Sequence, residues 1–315
     1  MSEVPEITEG GVIENVAVAD LTPMTSPDEL RRVRLIRNTA VVLIGKSAAA
    51  AIPDIRMENV ASVVTVPDGG HVRVHTGSLT VDGRALAEPG GDNEIMVVTG
   101  TLIVTTPVER VGYHDLIVTG VVLAPEGSEA ALGSGITRLT GAVTYFPYAE
   151  GQQVRVHSGQ VRFGARAMAN AGGNPGDVLV VGGQLVVTEP LTTLGYARIV
   201  VSGQLMAPRQ SEDLIGPASL IQGQVVWYAG DPRFFTGEDS FSAEFFRLQE
   251  KPITLALIGD FEFEADVTSE LLREKVSSIA LIGEVRAPKA LIPALQMLAT
   301  ERIGDIRVAV EAQAG

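Results

Sequence analysis

The chain of 315 residues lacks cysteine altogether, and aromatic residues make up only 5% of it. Without cysteine there is no disulfide framework, no thiolate metal site and no cysteine nucleophile. The sequence also has no apolar run near the roughly 18 residues of a membrane span, and its N-terminus lacks the pattern of a signal peptide. These absences predict a cytoplasmic protein without membrane insertion.

Positive charge is also scarce, because 24 Lys and Arg face 38 Asp and Glu, which gives a formal net charge of −14. Such a charge repels phosphate backbones, so we expect no nucleic-acid partner. The sequence shows no phosphate-binding loop, zinc-protease motif or serine-hydrolase elbow. It therefore predicts no catalytic residue, no metal ligand, no cofactor-binding residue and no cofactor, and the expected protein is not an enzyme.

What the sequence does contain is an internal duplication. Residues 72–146 recur as residues 154–228, most clearly where Val72–Gly77 returns as Val154–Gly159. Within both copies and beyond them, glycine recurs about every 20 residues, which is the period of a stacked repeat. These recurring glycines are Gly77, Gly100, Gly120, Gly141, Gly159, Gly183, Gly203, Gly223, Gly259, Gly283 and Gly304.

One repeat is typical of a strand followed by a compact return. In the segment 199–207 every second residue is apolar or small, and Gly203 lies on the same face as Ile199 and Leu205. A glycine on a dry face indicates a bend or a close backbone approach. A repeat of this size cannot bury its own dry face and must stack on its neighbours.

The period therefore predicts a mainly β fold, a parallel β-solenoid of about a dozen coils of ~20 residues each. Leucine-rich-repeat-like α/β coils stay open as a variant. Short helices are expected at the ends, over Ser26–Val33, Thr268–Val276 and Lys289–Thr300.

Taken together, the repeated coils and the terminal helices resemble bacterial β-solenoid and leucine-rich-repeat-like solenoid proteins, over roughly residues 35–310. The resemblance concerns architecture alone and implies no site residues. The asparagine ladder of ordinary leucine-rich repeats is absent from the repeat pattern. The expected organisation is a flexible N-terminal tail over residues 1–27 and a single elongated solenoid over residues 28–315.

The repeat fails once, between Gly223 and Gly259, and nearly half of the aromatic residues of the chain fall there. We interpret residues 227–250 as an aromatic-rich insertion. Its aromatic side chains either form a small local core or form an exposed patch that docks a partner. The candidate partner-binding residues are Trp227, Tyr228, Phe234, Phe235, Phe241, Phe245 and Phe246.

Two further groups of residues are candidates for chemistry. His75 and His157 occupy equivalent positions in the duplicated units, which favours a structural role, whereas His114 has no equivalent histidine. An acidic alternation in a strand could hold a hard cation such as Ca²⁺, but the absence of a calcium-loop motif favours a solvated strand face. Its members are Asp260, Glu262, Glu264 and Asp266.

The functional hypothesis from sequence is a non-enzymatic scaffold that self-associates or organises an assembly. Its partner is protein, including a second copy of this chain. The alternative is a monomeric interaction module that binds a partner through the aromatic-rich insertion. A polysaccharide-active β-helix is the weaker alternative.

Overall fold

The computed structural model describes residues 7–8, 10–67, 69–88, 90–91, 93–230 and 232–309. Within them, sixteen strands form four sheets of four strands each, which we call sheets A to D. Sheet A holds β1 (Val12–Glu14), β2 (Val18–Leu21), β3 (Leu35–Gly45) and β4 (Arg56–Val66). Sheet B holds β5 (His71–Val81), β6 (Glu94–Val104), β7 (Asp115–Pro125) and β8 (Ile136–Phe146). Sheet C holds β9 (Val154–Phe163), β10 (Val178–Val187), β11 (Arg198–Pro208) and β12 (Ser219–Tyr228). Sheet D holds β13 (Pro232–Phe241), β14 (Ile253–Phe263), β15 (Val276–Ala287) and β16 (Glu301–Val308).

Short helices return the chain from one strand to the next. The eight α-helices are α1 (Pro27–Leu30), α2 (Gly83–Ala87), α3 (Glu129–Gly135), α4 (Ala165–Met168), α5 (Glu212–Ile215), α6 (Ala243–Arg247), α7 (Ser269–Lys275) and α8 (Ile292–Leu298). The three predicted helices are confirmed as α1, α7 and α8, and the side chains of Ser26 and Thr268 cap the first two as expected. Helices are not confined to the ends, since α2 to α5 lie in the central coils.

The paired strands run parallel and in register, which confirms a mainly β fold of repeated parallel strands. A single continuous solenoid is not confirmed, because the strands divide into four separate sheets. Parallel neighbours in one sheet need a crossover connection, and here the connections between successive long strands of a sheet have about ten residues or more, as over 105–114 between β6 and β7. The connections 67–70, 147–153 and 229–231 are too short for such a crossover, so a new sheet begins after each.

The chain divides into two compact units, residues 1–156 and residues 157–315, with the boundary inside β9. In the first unit, one face of sheet A and one face of sheet B share an apolar cluster that includes Leu43, Val64 and Val97. In the second unit, sheets C and D share a cluster that includes Met206 and Ile258. The opposite face of every sheet packs against its own helices and turns.

Part of the segment assigned to a flexible tail is built into sheet A. β1 pairs with the start of β3, β2 pairs with its end, and Ile13 and Leu21 are fully buried. The sequence does not predict these strands, because three and four residues are too few to show a clear period.

A residue with positive φ lies at the centre of the long strands and is stacked across each sheet. In sheets B, C and D it is glycine, and a Cβ on most of these glycines would lie well under 3.0 Å from the carbonyl oxygen of the glycine in the preceding strand. The close backbone approach predicted for Gly203 is therefore confirmed. In sheet A the same place is taken by Asn15, Asn38 and Asn59, whose side chains form an amide ladder.

Candidate functional site

The aromatic residues of segment 227–250 mainly build a core. Tyr228, Phe241 and Phe246 are 2%, 1% and 0% exposed. Trp227, Phe234, Phe235 and Phe245 are half-buried. Phe241 lies within 6.1 Å, between ring centroids, of five other phenylalanine rings. The aromatic side chains therefore belong to packed clusters rather than to an exposed patch. Four phenylalanines lie in the core of sheet D, Trp227 packs on the core of sheet C, and Tyr228 and Phe234 pack in the cluster that the two sheets share.

The segment is also not an insertion into a regular repeat. It contains the end of β12, the whole of β13 and α6, and Gly237 pairs in register with Gly259. The repeat was misread because Gly237 follows Gly223 by far less than one period, at a junction between two sheets. The aromatic-rich composition reflects the closing of one sheet and the start of the next.

The histidines singled out in the sequence lie apart from one another and form no common site. His75 lies on β5 opposite Val98, and the ring of His157 packs edge-on against Phe163 with 5.1 Å between centroids. His114 has Asp115 as a neighbour at 3.8 Å. In the part of the chain that the structure describes, no group of three or more His, Asp or Glu side chains is arranged to hold a metal ion.

The four alternating carboxylates do not stay together. Asp260 and Glu262 are exposed on β14, with Phe261 buried between them. Glu264 accepts a hydrogen bond from the hydroxyl of Ser240 at 3.0 Å, and Asp266 accepts one from the backbone N–H of Ala243 at the start of α6. Two carboxylates therefore hold neighbouring chain in place, and the other two face a shallow groove.

That groove on sheet D has a volume of about 540 Å³ and is mainly acidic. It lies over β13, β14 and β15, and Arg286 supplies its positive charge. Its lining residues are Glu238, Asp239, Ser240, Asp260, Phe261, Glu262 and Arg286.

A buried carboxylate recurs in the duplicated units. Glu94, 6% exposed, pairs with Arg73 at 2.7 Å, and the equivalent Asp177 accepts hydrogen bonds from the side chain of Asn170 and the backbone of Asn174. Both acids lie where a return segment meets its strand. Their shared place in the duplication indicates a structural role, since they fix the entry of the chain into the sheet.

Sheet C carries a ladder of glutamines directly after its central glycines. The side-chain amide of Gln160 donates to the Oε1 of Gln184 at 2.7 Å, and that of Gln184 donates to Gln204 at 3.0 Å. Gln224 pairs in register with Gln204 on the last strand. The ladder lines a groove of about 740 Å³, whose other residues are Gly183, Gly203, Gly223, Gly237, Ile258, Gly259 and Ile282.

The outer strands β8 and β12 of the duplicated sheets are each exposed over part of their length. The segment 137–141 of β8 is exposed, and on β12 Gly223 and Gln224 are exposed. The adjacent inner strands are more buried at the matching places. Val118 of β7, opposite Leu139, is fully buried, and Gly203 and Gln204 of β11, opposite Gly223 and Gln224, are half-buried. An outer strand presents unpaired backbone donors and acceptors that can template a further strand.

Charge does not protect these two outer strands. β12 contains no charged residue, and β8 contains one, Arg138. The guanidinium of Arg138 donates to the carbonyl of Val63 and to the hydroxyl of Ser62 at 3.3 Å, so it is engaged by sheet A. Sequence reasoning missed these strands, although their lack of charge is visible in the sequence.

Comparisons of this chain with protein-family models, with curated proteins and with solved structures give no match. Among the described residues, no helix has both the length and the apolar character needed to cross a membrane. Function is therefore inferred from the residues and their geometry.

Proposed function

We propose that this protein is a non-enzymatic scaffold that associates with further copies of itself through the outer strands of its sheets. The observation that carries the proposal is the pair of partly exposed, almost uncharged outer strands β8 and β12. Proteins ordinarily protect such edges with lysine, proline, bulges or a covering segment. A parallel sheet whose last strand carries so little charge is suited to adding strands from another chain.

The aromatic segment gives less support to the alternative of an interaction module. Tyr228, Phe241 and Phe246 are buried in cores and offer no surface to a partner. The remaining half-buried rings pack on those same cores, as Phe235 and Phe245 do on Phe241. Removing them would damage folding before it damaged recognition.

Lysine substitutions in the outer strands test the proposal. Gln224→Lys on β12 and Thr140→Lys on β8 each place a charge at an exposed edge, whereas Thr193→Lys places one on an exposed turn. We expect light scattering to show concentration-dependent association of the wild type and of Thr193→Lys, and weaker association of the edge variants. Equal association of all four proteins would contradict edge pairing.

One observation favours a second candidate, the polysaccharide-active protein. The acidic groove on sheet D brings four carboxylates from β13 and β14 beside Arg286, and a glycan-cleaving site requires such a group of carboxylates. Asp260 and Glu262 are exposed, however, and a general acid is ordinarily a carboxyl group shielded from water. A screen against neutral and acidic glycans, with Asp260→Asn as the control, tests this candidate, and no cleavage by either protein would dismiss it.

A further inference from the structure

We propose that β12 of one copy pairs, parallel and in register, with β9 of the next copy, so that Gly223 lies against Gly159 and Gln224 against Gln160. This inference rests on the proposed self-association and names its partner surface. It extends between molecules the same strand pairing that builds sheet C within one molecule.

The central glycines give sheet C two different edges. At Gly183, Gly203 and Gly223 the place of a Cβ is filled by the carbonyl of the glycine in the preceding strand. At Gly159, on the first strand, that place is empty, with no atom within 4 Å. By the same repeat, the carbonyl of Gly223 is directed away from β11 and has no following strand in its sheet. The projecting carbonyl on β12 therefore matches the empty place on β9.

The glutamine ladder ends at the same two edges. It runs from Gln160 through Gln184 and Gln204 to Gln224, and Gln160 and Gln224 are exposed. The side-chain amide of Gln184 both accepts and donates along the row. Pairing of β12 with β9 would continue the ladder across the junction with the same spacing of about 4.8 Å between strands.

Charge favours this pair of edges over others. The first coil of sheet C, residues 154–168, has three arginines and no carboxylate, and Arg162 and Arg166 are exposed. The last coil, residues 209–228, has one arginine and the exposed acids Glu212 and Asp213. Opposite signs on the two surfaces steer them together and disfavour pairing of like edges.

A contact between two different edges is heterologous. Each added copy then presents a fresh β12 edge, so growth yields a ring or an open filament rather than a closed two-fold dimer. An isologous contact between two β12 edges would instead stop at a dimer.

Disulfide trapping tests the register directly because the wild-type chain has no cysteine. We would prepare Gln160→Cys and Gln224→Cys as separate proteins and oxidise each alone and both mixed. Paired residues on neighbouring strands lie about 4.8 Å apart, within the range that a disulfide spans. We expect cross-linked dimers in the mixture at several times their level in either protein alone. Equal cross-linking of Gln224→Cys alone would overturn the inference while leaving self-association in place.

A matched pair of alanine variants provides a second measurement. Gly159→Ala and Gly77→Ala both put a Cβ where nothing lies within 4 Å, at φ values of 77° and 88°, on the first strands of the duplicated sheets. Only Gly159 belongs to the proposed contact. We expect Gly159→Ala to weaken association about tenfold or more, equivalent to about 1.4 kcal/mol, and Gly77→Ala to leave it unchanged.

The outcomes separate this inference from the function on which it rests. If the wild type associates but the cysteine mixture does not cross-link, or if both alanine variants associate like the wild type, the assigned edges are wrong. If the wild type does not associate at any concentration, the proposed function itself fails.

Discussion

Substituting alanine for one glycine or the other of a stacked pair should give very different losses of stability. Gly237 and Gly259 lie opposite each other on β13 and β14. A Cβ on Gly259 would lie well under 3.0 Å from the carbonyl oxygen of Gly237, whereas a Cβ on Gly237 would have nothing within 4 Å. Both residues have positive φ, 95° at Gly237 and 127° at Gly259. The two substitutions thus share backbone strain, and only one adds a steric conflict.

The magnitudes follow from these two terms. Positive φ costs a residue with a Cβ about 1–2 kcal/mol, so we expect a loss of that size for Gly237→Ala. In Gly259→Ala the strands must also separate, and each ladder hydrogen bond lost costs about 0.5–1.5 kcal/mol net. With two such bonds lost, the expected loss for Gly259→Ala is about 2–5 kcal/mol.

Urea unfolding of the two variants measures this difference. The single tryptophan, Trp227, lies in sheet C of the same compact unit and reports the unfolding of that unit by fluorescence. We expect the midpoint to fall much further for Gly259→Ala than for Gly237→Ala, with similar slopes. Equal midpoints for the two variants would refute the reasoning that the glycines are required by backbone contact.

Three other predictions concern the remaining parts of the structure. In the asparagine ladder, Asn38→Gly should cost about 1 kcal/mol of unfolding free energy, because the side-chain hydrogen bonds to Asn15 and Asn59 are lost. Asn38→Ala should cost more, because φ at this position is positive. Thermal unfolding measures both variants, and the reverse order would contradict this account. Phe246→Ala should cost about 3–5 kcal/mol in urea unfolding, since the ring is fully buried, and a near-neutral result would restore a partner-binding role for that ring. Burial raises the pKa of Tyr113 above its ordinary 10.0, so the folded state keeps the phenol proton to higher pH than the unfolded state does. The free energy of unfolding should therefore fall as pH rises past 10.0. Tyr113→Phe should reduce this fall, and an unchanged fall would show that another group causes it.

Much of the fold could be predicted from periodicity. The alternating segment 199–207 forms β11 with the expected residues buried, because a period of two on a strand directly sets which side chains face the core. The glycine period marks the stacked centres of the strands, because the carbonyl of the preceding strand takes the place of a Cβ there.

The second core could not be predicted in this way. Val200 and Met206 lie on the face of β11 that the pattern assigns to solvent, and both are fully buried. They are buried because a second sheet covers them, and a strand covered on both faces loses its alternation. The division into four sheets was missed for a related reason, since it depends on three short connections rather than on the repeat itself.

The candidate surface on β12 could not be predicted from sequence motifs either. Aromatic residues drew attention to segment 227–250, whereas the exposed edge lies on β12, whose sequence resembles that of the buried strand β11. Position in the sheet, last rather than inner, decides exposure. That position follows from the short connection 229–231.

Sedimentation velocity of the wild-type protein over a wide range of concentrations tests the central claim most directly. The chain has a mass of 33.2 kDa. If outer strands template further copies, the average mass should rise steadily with concentration and exceed that of a dimer. A single species with the mass of one chain at every concentration would contradict the account.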